Sequence, residues 1–339
     1  MDATSGTDGE GVHMRGATSN LGRHKSSGRR RFGRLVAAAA VLGSCLVVPT
    51  AAGAATQGSG CDLLRALLGV CSPAQGTGNP GPAPTCGDEA PLKPDGTPWT
   101  CTFDDEFDGT ALNRGAWTVQ QTSAYGYHSG AECFVDDPDN VSVGDGQLDL
   151  TVRKLDAPFT CASPAGSYQT QYTSGSVYTS AFAQEYGRFE IRARFAESGD
   201  QPGLQGSLWL FPASRSSSGP LSGPSEIDVA EAYSRHGDLV SPTVHSLTTP
   251  LSSTYCTVPD YGAALHTYTV TWTAKTITFD YDGRTCFRTG TPFSLPSGLR
   301  PANPFLVSLT QALGIGNNRN TAATPLPATL QVDYVRVWK

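Results

Sequence analysis

Only 16% of the 339 residues are charged, only two are methionine, and no apolar run reaches the roughly 20 residues that a membrane-spanning helix needs. With 38% apolar residues, so little charge excludes a chain that is disordered throughout. Beyond residue 86 no stretch of ten or more residues repeats its apolar positions at helical spacing, while 38 Gly and 24 Pro punctuate the chain. A helix bundle is excluded. No Cys-x-x-Cys occurs and no His stands at ligand spacing from a Cys, so zinc coordination has no support. Basic residues are concentrated in the first 54 positions, which hold seven Lys and Arg against three Asp and Glu, leaving 17 against 27 in the remainder. A remainder that acidic excludes nucleic acid and anionic membranes as principal partners.

Residues 23–34 are basic, residues 35–48 are apolar, and Ala52-Gly53-Ala54 supplies small residues at a cleavage position. This pattern reads as a secretory signal peptide over 1–54 and a secreted product. Met14 is a second candidate start, and Arg29-Arg30-Arg31-Phe32 also admits twin-arginine export. Leu42-Gly43-Ser44-Cys45 has the residue types of a lipoprotein box, which makes a lipid-anchored protein the alternative; stable membrane association would require that lipid. Against it, the apolar run continues through Leu46, Val47 and Val48. Either route takes Cys45 out of the folded part and leaves eight of the nine cysteines, an even set suited to an oxidising compartment. They fall as sequence-local couples, and nearest-neighbour pairing predicts Cys61–Cys71, Cys86–Cys101, Cys133–Cys161 and Cys256–Cys286. Residues 55–85 comprise a short Cys-bracketed segment and a Pro/Gly-rich linker. Residues 86–339 form one block without internal repeats, expected to act as a monomer.

Within that block, Phe189, Ile191, Ala193 and Phe195 alternate with Arg188, Glu190, Arg192 and Arg194, the period-two mark of a strand with one buried face. Leu148-Leu150-Val152 and Tyr268-Val270-Trp272 repeat it, and Ile277-Phe279-Tyr281 runs into Asp282-Gly283, a hairpin turn signal. Residues 329–337 read as apolar on both faces, as in a strand covered on both sides. The class is all-β, an antiparallel sandwich or barrel.

The segment Ser225-Glu226-Ile227-Asp228-Val229-Ala230-Glu231-Ala232-Tyr233 places three carboxylates in a strand-like apolar run. In a regular strand Glu226 and Asp228 share one face, Ile227 and Val229 enter the core, and Glu231 falls on the core side. A one-residue bulge near Ala230 repairs the parity and returns Glu231 and Tyr233 to the face of Glu226. The two glutamates then stand effectively four positions apart, roughly 13 Å along a flat strand. Strand curvature and side-chain length would bring their carboxyl groups to about 5–5.5 Å, as retaining glycoside hydrolysis requires. That chemistry needs one carboxylate ionised for attack and one protonated for donation, and an Asp between them helps hold the two in opposite states. An exposed acidic strand face and a divalent-cation site are the competing readings of the same cluster.

The residues resemble glycoside hydrolase family 16, whose signature is E-x-D-x-x-E in its bulged form. The likeness extends over about 240 residues in order, through Thr102–Gly109, Asn140–Leu148, Tyr186–Glu190 and Val332–Val337. It implies a two-sheet jelly-roll sandwich with a concave substrate cleft, and retaining hydrolysis of a β-linked polysaccharide, most simply a β-1,3-glucan. It further implies Glu226 as nucleophile, Asp228 as its assistant and Glu231 as general acid/base, with no cofactor for catalysis. Trp209 in Leu208-Trp209-Leu210-Phe211 is expected in the cleft, with Tyr233, His245 and Gln311 as further sugar contacts; Trp117, Trp272 and Trp338 are expected in the core. Where laminarin-cleaving members often carry a Trp, this chain has Gln205, a polar candidate contact in place of a stacking surface. The resemblance also implies a structural calcium ion near Asp333, with Glu106 and Gly146 as neighbours. Transglycosylation, a β-galactan substrate, and a lectin-like module without turnover are the rival functions.

Overall fold

Alternation of apolar and polar residues is translated directly into strands in the computed structural model, which describes residues 84–88, 90–213, 224–246, 250–292 and 303–339. The leader, the Cys61–Cys71 couple and most of the linker lie outside the described residues. In chain order the strands are β1 (Cys101–Asp105), β2 (Trp117–Val119), β3 (Glu132–Phe134), β4 (Val141–Gly144), β5 (Gln147–Cys161), β6 (Tyr168–Ser174), β7 (Ser176–Thr179), β8 (Gly187–Arg194) and β9 (Leu204–Pro212). They continue as β10 (Glu226–Tyr233), β11 (Leu239–His245), β12 (Ser252–Ser253), β13 (Cys256–Thr257), β14 (His266–Trp272), β15 (Thr276–Tyr281), β16 (Arg284–Gly290), β17 (Phe305–Leu313) and β18 (Ala328–Trp338). Among the described residues, helix is confined to one α-turn at Thr122–Tyr125 and two 3-10 turns, Ser234–His236 and Gly316–Asn318.

Two open sheets result. One runs β16-β15-β14-β8-β18-β5-β6-β3, with β1 also on β18 and β4 on β5; the other runs β12-β11-β10-β9-β17-β7-β2, with β13 on β11. Pairing is antiparallel throughout except between β3 and β6. The fold is the expected jelly-roll sandwich rather than a closed barrel. Its core lies between the sheets, where Phe189, Ile191 and Ala193 of β8 meet Leu208 and Leu210 of β9, Ile227 and Val229 of β10, and Val270 of β14, all fully buried. Trp117, Trp272 and Trp338 are buried as expected. Asp282 and Gly283 take φ of +48° and +72° between the paired Tyr281 and Arg284, the left-handed conformation that a two-residue hairpin turn demands.

The closing strand departs from expectation. β18 buries Leu330, Val332, Val335 and Val337, while Gln331, Asp333 and Arg336 remain half-exposed, so only one face is covered. Its register against β8 shifts between Val332 and Tyr334. That bulge turns Val332 and Val335, three apart in sequence, to the same side, which is why the sequence looked apolar on both faces. Disulfides join Cys86–Cys101, Cys133–Cys161 and Cys256–Cys286 with Cα separations of 5.7–5.8 Å, the pairing that sequence locality predicted.

Candidate active site

β10 lies between β11 and β9, so the register on both neighbours locates its irregularity. Opposite β11, Asp228 faces Thr243 and Glu231 faces Ser241, three residues on β10 spanning two on its partner. Opposite β9, Asp228 faces Trp209, Ala230 faces Leu208 and Glu231 faces Ser207. One extra residue is therefore accommodated at Val229–Ala230. Ile227, Val229, Ala230 and Ala232 point inward and are buried, while Glu226, Glu231 and Tyr233 are only half-buried on the opposite face. The bulge disturbs the ladder, and the Tyr281 hydroxyl donates to the Val229 carbonyl at 2.9 Å, giving that acceptor a partner within the core. Gly206 sits on β9 opposite Ala232; a Cβ there would come within 2.4 Å of the Phe195 ring, so only glycine lets Gln205 and Ser207 flank this point in regular pleat.

Asp228 is the most enclosed of the three carboxylates, at 3% exposure. Burial, followed by the charges of Glu231 and Glu226, pushes it well above the usual carboxylate range. His245, paired with Glu226 across the β10–β11 ladder, brings Nε2 to 3.0 Å from Asp228 Oδ2 and 3.7 Å from Glu226 Oε1. Glu231 is also raised by burial, against which hydrogen bonds from Tyr233, Gln205 and Ser207 and the nearby His245 act in the opposite sense. The Gln205 Nε2 and Ser207 Oγ donors both stand 3.1 Å from Glu231 Oε1. Two carboxyl groups thus sit on one face in different surroundings, Glu226 open to solvent and Glu231 recessed among donors, with a nearly buried acid between them. This arrangement suits one attacking carboxylate and one proton carrier.

A sequence model described as Glycosyl hydrolases family 16 matches residues 129–334, more than half of the chain. The chain belongs to that family. Its curated relatives include the glucan endo-1,3-beta-glucosidase A1 of Niallia circulans, 29% identical over 70% of this chain and 37% of the relative. Another is the endo-1,3-1,4-beta-glycanase EglC of Rhizobium meliloti, 30% identical over 58% and 39%. The chain therefore spans well under half of those proteins. Among solved structures, the laminarinase from Rhodothermus marinus is 26% identical with a TM-score of 0.57, covering 71% of this chain and 97% of that one. The endo-beta-1,3-glucanase from Pyrococcus furiosus shares the fold at a TM-score of 0.60 and 23% identity, covering 72% and 96%.

In this family 16 sandwich the face bearing the carboxylates continues across β9 and β17 to β7. Gln205, Ser207, Trp209 and Phe211 alternate onto it from β9, and a cavity of about 300 Å³ is lined there by Tyr125, Tyr127, Tyr178, Trp209, Phe211 and Ser308, among others. Trp209 lies in that wall but is only 8% exposed: the Tyr127 ring lies 6.1 Å from it, Phe211 5.0 Å, and its Nε1 donates to Thr310 Oγ1. Tyr125 is 57% exposed and its hydroxyl meets that of Tyr178, so the open aromatic surface is there rather than at Trp209.

Two expected sugar contacts and the expected calcium residues are engaged otherwise. Gln311 faces Gly206 on the core side of β17, has no exposed surface, and donates to the carbonyls of Ala312 and Gln205; it is no sugar contact. The parity that carries Ser308 and Thr310 to the cleft turns Gln311 away. Gln205 is on the cleft face but its amide is engaged by Glu231 and by Ser129, whose Oγ donates to Gln205 Oε1 at 2.9 Å. The calcium expectation does not fit the residues present. Asp333 Oδ2 accepts from Arg192 at 2.6 Å, and Glu106 is held by Arg336 through two contacts of 2.7 and 2.8 Å. Each carboxylate is already neutralised by its own guanidinium. Gly146 forms the tight turn between β4 and β5 with φ +74°. Ser207, Ser129, Tyr125, Tyr127 and Glu132 went unrecognised in the sequence. Only Ser207 carried a readable signal, as the residue two before Trp209 on an alternating strand.

Proposed function

We propose that the protein is an exported, retaining endo-β-glycanase that cleaves β-1,3-linked glucan within the chain. The observation that carries this is the bulge in β10, which sets Glu226, Asp228 and Glu231 on one face. Glu226 attacks the anomeric carbon while Glu231 passes its proton to the departing oxygen. Glu231 then takes a proton from water as that water attacks the same carbon and releases Glu226. Asp228, nearly buried and bonded to His245, keeps the nucleophile's side of the site fixed. The names of the glucanase relatives support the linkage. The aromatic cavity beside Trp209, open at Tyr125, suits the apolar face of a pyranose. The leader pattern and three disulfides support export.

The test is reducing-end release from laminarin, lichenan, agar and galactan by wild type and Glu226→Ala, with the anomer of the first product read by NMR. Laminarin should be cleaved fastest with the β-anomer formed first, and the variant should lose about 10³-fold or more. Equal release by the two proteins would defeat the hydrolytic reading.

A further inference from the structure

The side chain of Gln205 joins two parts of the molecule that are distant in sequence. Its Nε2 donates to Glu231 Oε1 at 3.1 Å, and its Oε1 accepts from Ser129 Oγ at 2.9 Å. Ser129 is itself fixed from beneath. The Glu132 carboxylate, with no exposed surface, accepts the backbone N–H of Ser129 at 2.8 Å, of Gly130 at 3.0 and 3.1 Å, and of Leu313 at 3.2 Å. A buried anchor, a loop, an amide and the recessed carboxyl group therefore form one continuous hydrogen-bonded series.

We propose that Gln205 is a positioning residue for Glu231: with Ser207 it holds Oε1 by donation, and Ser129 and Glu132 hold the amide in place. This rests on Glu231 being the acid/base. An amide flipped by half a turn would present oxygen to Glu231 and repel its ionised form, so the acceptor-only carboxylate selects the NH2 end, and the Ser129 hydroxyl satisfies the amide oxygen at the other end. The titratable groups facing Glu231 are Glu226, Asp228 and Tyr233 on β10, His245 on β11, Tyr281 on β15, and Tyr127; β9 contributes only the neutral Gln205 and Ser207. Donation by Gln205 favours the ionised carboxylate, so its loss raises the Glu231 pKa further.

The experiment compares kcat/KM of wild type, Gln205→Leu, Ser129→Ala and Glu231→Ala on two substrates. One is the polysaccharide that the wild type cleaves; the other is a 2,4-dinitrophenyl β-glycoside of the corresponding disaccharide, whose leaving group departs without a proton. Gln205→Leu should fall about 10- to 100-fold on the polymer and less than about threefold on the activated glycoside, with the alkaline limb of its pH profile moved upward. Ser129→Ala should reproduce the same pattern more weakly, and it keeps the test alive if Gln205→Leu does not fold. Equal losses on both substrates, or an unmoved alkaline limb, would overturn the proposal in favour of a sugar contact or simple packing. If Glu231→Ala itself loses equally on both substrates, the acid/base assignment fails instead, and the two failures are distinguishable.

Discussion

Deleting Ala230 should leave the catalytic face intact, although it removes a fully buried residue from the central strand of the site. Asp228 faces Thr243 on β11 and Trp209 on β9, while Glu231 faces Ser241 and Ser207, two residues further along each neighbour. Without Ala230, Glu231 becomes the second residue after Asp228, so a regular ladder delivers it to the same two partners on the same face. The losses are one buried methyl group, about 1 kcal/mol, and the Tyr281 hydrogen bond to Val229, about 1 kcal/mol. Together they correspond to roughly 4–8 °C in Tm for a domain of this size. An alanine inserted after Ala230 has the opposite effect on parity. It turns Glu231 toward Ile227, Val229 and Tyr281, and an unpaired carboxylate there costs about 3–5 kcal/mol and ends proton transfer. Thermal unfolding and reducing-end release on the preferred polymer would be measured for both variants. The deletion should keep activity within about tenfold while the insertion abolishes it. If the deletion unfolds or is as inactive as the insertion, the parity argument for the bulge is wrong.

Glu231→Gln should raise Tm at pH 8 while abolishing turnover. Burial lifts the folded-state pKa of Glu231, so its contribution to stability is fully present below the ordinary carboxylate range and is lost as pH rises through the folded value; the advantage of Gln should therefore vanish near pH 4. Replacing Cys133 and Cys161 by Ser opens a loop with a sequence separation of 28 and should cost roughly 3–4 kcal/mol in denaturant unfolding, and an unchanged midpoint would show that the bridge contributes nothing. Excess chelator should leave Tm unchanged, because Arg192 already neutralises Asp333; a fall of several degrees would restore a structural calcium ion.

Alternation made β8, β14 and β15 legible, and the crowding of Glu226, Asp228 and Glu231 on an apolar strand made the bulge in β10 a requirement of parity. The same arithmetic failed at β18, where a second bulge lies between Val332 and Tyr334 with no row of carboxylates to mark it. It also failed at Gln311, whose polar side chain drew attention while its position in the alternation placed it on the core side. Proximity in sequence was enough to pair the cysteines of the three described disulfides, since each couple is separated by 15 to 30 positions.

What the sequence determined by itself were properties set by neighbours along one strand: which face a residue occupies, where an extra residue must be absorbed, and which carboxylates share a surface. Who stands opposite them was decided only in three dimensions. The amide on Glu231 comes from a position 26 residues earlier, the histidine on Asp228 from 17 residues later, and the backbone N–H of Leu313 on Glu132 from 181 residues away. Arg192 reaches Asp333 across 141 residues and takes the carboxylate that a cation would need. Side-chain period is a local property of an extended backbone, whereas charge state and proton position depend on burial and on donors brought in by other strands, which exist only after the sheets have assembled.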